Sequence, residues 1–129
     1  MNTRINPDGI VQPFNNAYSH GVVIPPQARV LHTAGQIGVR PDGSLPASIE
    51  EQAEQVWVNL LAILRGAGME VGDIVKLTAY IVGDHNYPAY AAARARHLGD
   101  HKPAATAFCV PQLLKPEWLL EVELIAARA

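Results

Sequence analysis

The chain has 129 residues, with ten Lys and Arg against twelve Asp and Glu for a formal net charge of -2. That length suits one domain spanning 1–129 with a real core. The acidic balance and the lack of any Lys/Arg cluster argue against a nucleic-acid surface, which needs a basic stripe to displace counterions. A single cysteine, Cys109, rules out an internal disulfide framework.

Residues 1–9 lack the apolar core of a signal peptide. The longest greasy stretch, 56–64, is interrupted by Asn59 and is too short to span a bilayer. A cytoplasmic protein without membrane contact is expected. Turn formers Pro7, Gly9, Pro13, Asn15, Asn16 and Pro25-Pro26 punctuate the opening segment, which predicts two short strands before residue 26, one of them within 19–24. Residues 29–34 read as a third strand, stopped by Gly35 and Gly38, and Pro41-Asp42-Gly43 has tight-turn chemistry. Ser48 followed by Glu51 is a capping-box pattern. Apolar residues then recur at 49, 53, 56, 57, 60, 61, 64 and 67, which predicts an amphipathic helix closed by Gly66 and Gly68.

Residues 74–82 alternate Val75, Leu77, Ala79 and Ile81 with Lys76, Thr78 and Tyr80, the pattern of a strand with one apolar and one mixed face. Asn86 or Asp84 is placed to cap a second helix through the alanine-rich stretch from Pro88 to about Gly99. Pro103 then leads into two closing strands. The last of these is the most informative. Glu121 and Glu123 stand two apart in the otherwise apolar run 119–127, so strand alternation points both to one face while Leu120, Val122, Leu124 and Ala126 point to the other. Neighbouring like charges that lose hydration require a cation, a ligand or a raised pKa in compensation. Two helices cover only one side of such a sheet. The other side, with Lys76, Thr78, Tyr80, Glu121 and Glu123, is expected to pack against further subunits, with pockets where those surfaces meet.

The element order, with Thr33-Ala34-Gly35-Gln36-Ile37-Gly38, the tract from Ala67-Gly68 through Val71-Gly72-Asp73-Ile74-Val75-Lys76, the Pro103-Ala104 entry and the ending Glu121-Val122-Glu123-Leu124-Ile125-Ala126, resembles the Rid (YjgF/YER057c/UK114) family over essentially the whole chain. The resemblance implies an α+β chorismate-mutase-like fold: a mixed six-stranded sheet with two helices on one face, assembled as a homotrimeric barrel with small-molecule clefts between subunits. It also implies that the last strand lies between those containing His32 and Lys76, which makes Lys76 a candidate counter-charge. The best-known members are cofactor-free deaminases that hydrolyse enamines and imines such as 2-aminoacrylate. In them an arginine clamps the substrate carboxylate while a water is activated near the imine carbon.

Against that pattern this chain departs in places. Ala105 holds the position of the clamping arginine, Ala107 that of a cysteine, Ala34 that of a serine and Ala91 that of an asparagine in the second helix. What is retained is Glu121 at the position of the water-associated acid, Tyr18 in the entrance segment, and Gly35 with its backbone amide; Tyr87 and Trp118, aromatics at element ends, read either as cleft lining or as packing anchors. Losing a charged hydrogen bond removes about 1.5–3 kcal/mol, so small amino-acid-derived imines should bind poorly and a bulkier or uncharged ligand should suit a roomier cleft. The chain thus reads as an arginine-lacking member of the family.

For Glu121, water activation competes with a structural role at a subunit junction, and Glu123 reads as an interface ion pair. His32 is a packed histidine or a new acid-base group. Arg94 and Arg96 read as a solvated or interface face, and Cys109 as an inert packed thiol. No spacing among the histidines and Cys109 forms a zinc pattern, so no metal or cofactor is expected. Three functions stay open: a deaminase-type hydrolase with Glu121 orienting water, a non-catalytic trimeric metabolite-binding protein, and a ribonuclease or translation inhibitor, disfavoured by the charge.

Overall fold

Period-two and period-3.6 patterning both translate into structure in the computed structural model, which describes residues 1–129. The elements run β1 (Thr3–Ile5), β2 (Gly21–Val23), β3 (Arg29–His32), α1 (Ile49–Gly66), β4 (Ile74–Val82), α2 (Tyr87–Leu98), β5 (Ala104–Val110) and β6 (Leu120–Arg128). This is the order the sequence predicts. Four strands form a mixed sheet, β3-β6-β4-β5, in which β6 is antiparallel to both neighbours and β5 is parallel to β4. The parallel pair needs a crossover, which α2 supplies. As expected, β6 lies between the strands of His32 and Lys76.

The six strands do not share one ladder. β1 and β2 form a separate antiparallel pair, joined to the main sheet by one bridge, Ser19 to Ala104, with the Ser19 N–H donating to Pro103 O at 3.0 Å. The reason is local. The next donor, His20 N, is taken by the Asn6 side chain at 2.8 Å, and Pro25-Pro26 cannot donate to a ladder toward β3.

Helix α1 begins at Ser48, whose hydroxyl accepts from Glu51 N at 3.2 Å, and ends where Gly68 takes a φ of +70° and Met69 N reaches back to Leu64 O at 2.8 Å. Its stripe Ala53, Val56, Trp57, Leu60 and Leu64 packs with Tyr90, Ala93 and Leu98 of α2 onto Leu77, Ala79 and Ile81 of β4 and Leu120, Val122, Leu124 and Ala126 of β6. Asn86 does not cap α2 with its side chain. Its amide instead donates to Val82 O at 2.7 Å, tying the helix start to the end of β4. Buried Gln52 links α1 to the approach of β6: its amide donates to Pro46 O and Glu117 O, and its carbonyl accepts from Leu119 N at 3.0 Å. Gly38 allows this packing, since a Cβ there would lie 2.8 Å from the Gln52 Cα.

The two helices are also joined by charge. Glu54 on α1 accepts from Arg96 at 3.0 Å and from His97 at 2.9 Å on α2, while the His97 ring stacks on buried Trp57 with centroids 5.6 Å apart. Hydrogen bonds from His97 and then Arg96 hold the Glu54 carboxyl below its ordinary 4.5. A group lowered in this way stabilises the fold above its unfolded value, and the contribution is lost as pH falls through the folded one. Glu54 is 45% exposed, so solvent screening limits the effect of Glu54→Gln to about 1 kcal/mol or less. Urea midpoints of the parent and Glu54→Gln should differ at neutral pH and converge in acid. A gap unchanged in strong acid would show that the carboxylate is not the source.

Candidate functional site

Strand register decides what the uncovered face of the sheet carries. Tyr80 lies opposite Glu121 and Thr78 opposite Glu123 across β4 and β6, and on the other side of β4 the same two residues lie opposite Phe108 and Thr106 of β5. Glu121 and Glu123 are half-buried on this face, while their strand neighbours Leu120, Val122 and Leu124 are in the core. The Tyr80 hydroxyl donates to Glu123 Oε1, a diagonal pair within reach of a long aromatic side chain. Its ring meets Phe108 edge-on at 5.0 Å. Lys76 is not the counter-charge of the acid pair within one chain, because its ammonium donates to Thr106 Oγ1 at 2.9 Å. A phenol on the same strand occupies the position from which Glu123 is partnered.

Glu121 is positioned by a bulge. Thr33 N donates to Leu124 O at 3.0 Å and Gln36 N to Val122 O at 2.8 Å, so three steps beyond β3 oppose two on β6 and the chain arches at Ala34-Gly35. The arch presses the Gly35 backbone onto the Glu121 carboxylate. A Cβ at residue 35 would stand 2.8 Å from the carboxyl carbon, so any other residue there would push the Glu121 carboxylate out of this position. Gly35, Tyr80, Leu113, Glu121 and Glu123 line a shallow, open cavity of about 150 Å³. This is room for a few waters at about 30 Å³ each, against two carboxylates able to accept their protons.

Tyr18, Tyr87, Ala105 and Ala107 come together elsewhere, in a groove of about 540 Å³ that also takes in Ala91 and Arg94. By register Ala105 and Ala107 lie beside Leu77 and Ala79, on the helix side of the sheet. Within one chain the sheet therefore separates the acid cavity from the groove. Ala34 is exposed and lines neither. His32 is exposed and borders a shallow cavity with Lys76, Thr78 and Glu123, away from Glu121. Cys109 is exposed rather than packed, because β5 is the edge strand of the sheet. Arg94 is the residue that sequence reasoning missed at the groove. Its i, i+3 spacing from Ala91, and i, i+4 from Tyr90, was the available signal.

No group of three or more His, Cys, Asp or Glu side chains is clustered to hold a metal ion, and no helix is long and apolar enough to cross a membrane. A two-helix, mixed-sheet chain with a carboxylate facing a glycine arch is the class of protein that fold and site define. The sequence profile of the family described as Endoribonuclease L-PSP matches residues 10–128. The 2-iminobutanoate/2-iminopropanoate deaminase of Escherichia coli K12 is 36% identical over 103 residues, 77% of this chain and 80% of that protein. Among solved structures, the Rid-family protein YyfB of Yersinia pestis, of unknown function, superposes with a TM-score of 0.86 at 32% identity over 98% of both chains. Escherichia coli TdcF with bound serine gives a TM-score of 0.74 at 30% identity, covering 94% of this chain and 92% of that one. The chain belongs to the Rid/YjgF family and has its chorismate-mutase-like fold.

The hydrogen bond to Glu123, ahead of lost hydration and of the negative charges of Glu123 and Glu121, raises the Tyr80 phenol above its ordinary 10.0. Glu123→Gln should bring that titration down and Glu121→Gln should lower it less, as read by ultraviolet titration with Tyr80→Phe to assign the signal. A Tyr80 titration indifferent to Glu123→Gln would contradict the pairing.

Proposed function

We propose that this chain is a cofactor-free, deaminase-type hydrolase of an enamine, imine or related nitrogen compound, working in clefts between the subunits of a homotrimer. The observation that carries the reading is the Glu121 carboxylate held against Gly35 at the wall of a polar cavity. The relatives named as deaminases, one of 2-iminobutanoate and 2-iminopropanoate and one of a reactive intermediate, support the reaction class. In this reading Glu121 accepts a proton from water as the oxygen bonds to the imine carbon. The C=N π pair moves to nitrogen, which takes up the proton. The resulting carbinolamine then gives up its hydroxyl proton, by way of the Glu121 carboxylate, to the nitrogen; the oxygen's freed pair forms the carbonyl as the C–N pair leaves with nitrogen as ammonia. Water and imine in, carbonyl compound and ammonia out: the step balances with no redox partner.

A site split by the sheet is completed in this reading by a second copy, which places one subunit's groove against the acid cavity of its neighbour. The alanine at 105 favours a second reading, a trimeric metabolite-binding protein without turnover, because that position lacks the charged clamp. The ribonuclease activity in the family description is disfavoured by the net charge of -2.

Freshly generated imines of several amino acids should release 2-oxo acid and ammonia in the presence of the protein, and Glu121→Gln should lower kcat about 100-fold or more. Undiminished turnover in Glu121→Gln would remove Glu121 from the mechanism, and no turnover across the panel would favour the binding reading. Ala105→Arg should tighten 2-oxobutyrate binding about tenfold or more. Tight binding by the parent chain would contradict the loss of grip at residue 105.

A further inference from the structure

The groove beside β5 has one charged wall. Of its lining residues only Arg94 carries a formal charge; the rest are aromatic, small or neutral, with Tyr18, Tyr87 and Phe14 on its sides and Ala91, Ala105 and Ala107 between them. Arg94 takes part in none of the chain's ion pairs, whereas Arg96, two residues on, is committed to Glu54. The Arg94 guanidinium instead lies over the ring of Tyr90, 5.5 Å from its centroid. Tyr90 is 1% exposed, so that ring is fixed in the core and acts as a platform for the planar cation. With one N–H turned toward the Tyr90 hydroxyl, a guanidinium braced in this way keeps its other donors available for a planar anion. At about 540 Å³ the groove falls within the range of roughly 300–1,000 Å³ common for small-molecule sites.

We propose that Arg94 supplies the groove with an anion grip from α2, and that the ligand it selects is an amphipathic carboxylate whose aryl or branched apolar body lies on the alanine floor. The inference deepens the proposed function and rests on it for the groove's place in the reactive cleft. It has its own physical content. An arginine reaching in from the helix grips a carboxylate at a different point from one on β5, and the space left by three alanines admits a body that a pyruvate-sized acid leaves unfilled. Ligands with both features gain from both contacts, and ligands with one gain from one.

Calorimetric titration with two unreactive probes, 3-phenylpropanoate and its neutral isostere 3-phenylpropanamide, tests this without any need for turnover. The acid should bind at least tenfold more tightly than the amide and than acetate. Arg94→Met should abolish the preference for the acid, Arg94→Lys should retain part of it, and Arg96→Met should leave it intact, with circular-dichroism melting confirming that each variant is folded. Equal affinity for acid and amide, no binding of either probe, or an acid preference that survives Arg94→Met would overturn the inference. Failure here is separable from failure of the proposed reaction. Turnover on imines that is lost in Glu121→Gln, together with probe binding that does not depend on Arg94, sinks only the grip. Arg94-dependent binding without turnover on any imine sinks only the hydrolase.

Discussion

The alternation along β6 is the constraint from which the rest of the structure follows. Leu120, Val122, Leu124 and Ala126 are all at most 2% exposed beneath the two helices, and the residues between them are then obliged to face the other way. A one-residue slip would drive Glu121 and Glu123 into the hydrocarbon core and expose the four apolar side chains. Burying two unpaired carboxylates is far more unfavourable than any gain a shifted ladder could offer, so the strand has one register. That register fixes Tyr80 opposite Glu121 and Thr78 opposite Glu123, and with them the composition of the uncovered face.

The uncovered face is the unusual part of the molecule. Its carboxylates share the sheet with Phe108, which is 45% exposed, and with the ring of Tyr80, a mixture poorly suited to bulk water and too polar for a second core. The acid cavity and the alanine-floored groove lie on opposite sides of the sheet. In the proposed trimer the two are united across subunit boundaries, so the chemistry belongs to the assembly and not to the single chain. The glycine arch serves this arrangement from within. By removing one Cβ it lets the backbone approach the Glu121 carboxylate.

Much of this was legible in the sequence for a physical reason: where one face of an element is buried, periodicity is unambiguous. The stripe of α1, the alternation of β4 and β6, and the insertion of β6 between β3 and β4 all follow that rule or the family resemblance. The departures come from contacts between distant residues. The β1–β2 pair stands apart because Asn6 captures His20 N, Asn86 ties back to Val82 in place of capping, and Lys76 finds Thr106 sooner than either glutamate. Arg94 was grouped with Arg96 as a solvated or interface face, although its i, i+4 spacing from Tyr90 on α2 already set it apart. Glu54 on α1 takes Arg96, and Tyr90 on α2 itself takes Arg94, which sends the two arginines to different tasks.

The claim that binds these elements is that the uncovered face meets further copies of the same chain and that the site forms there. Sedimentation equilibrium at micromolar concentration measures it directly. The account predicts a single species of three times the 13.9 kDa chain mass, and a protein that remains monomeric or stops at a dimer would contradict it.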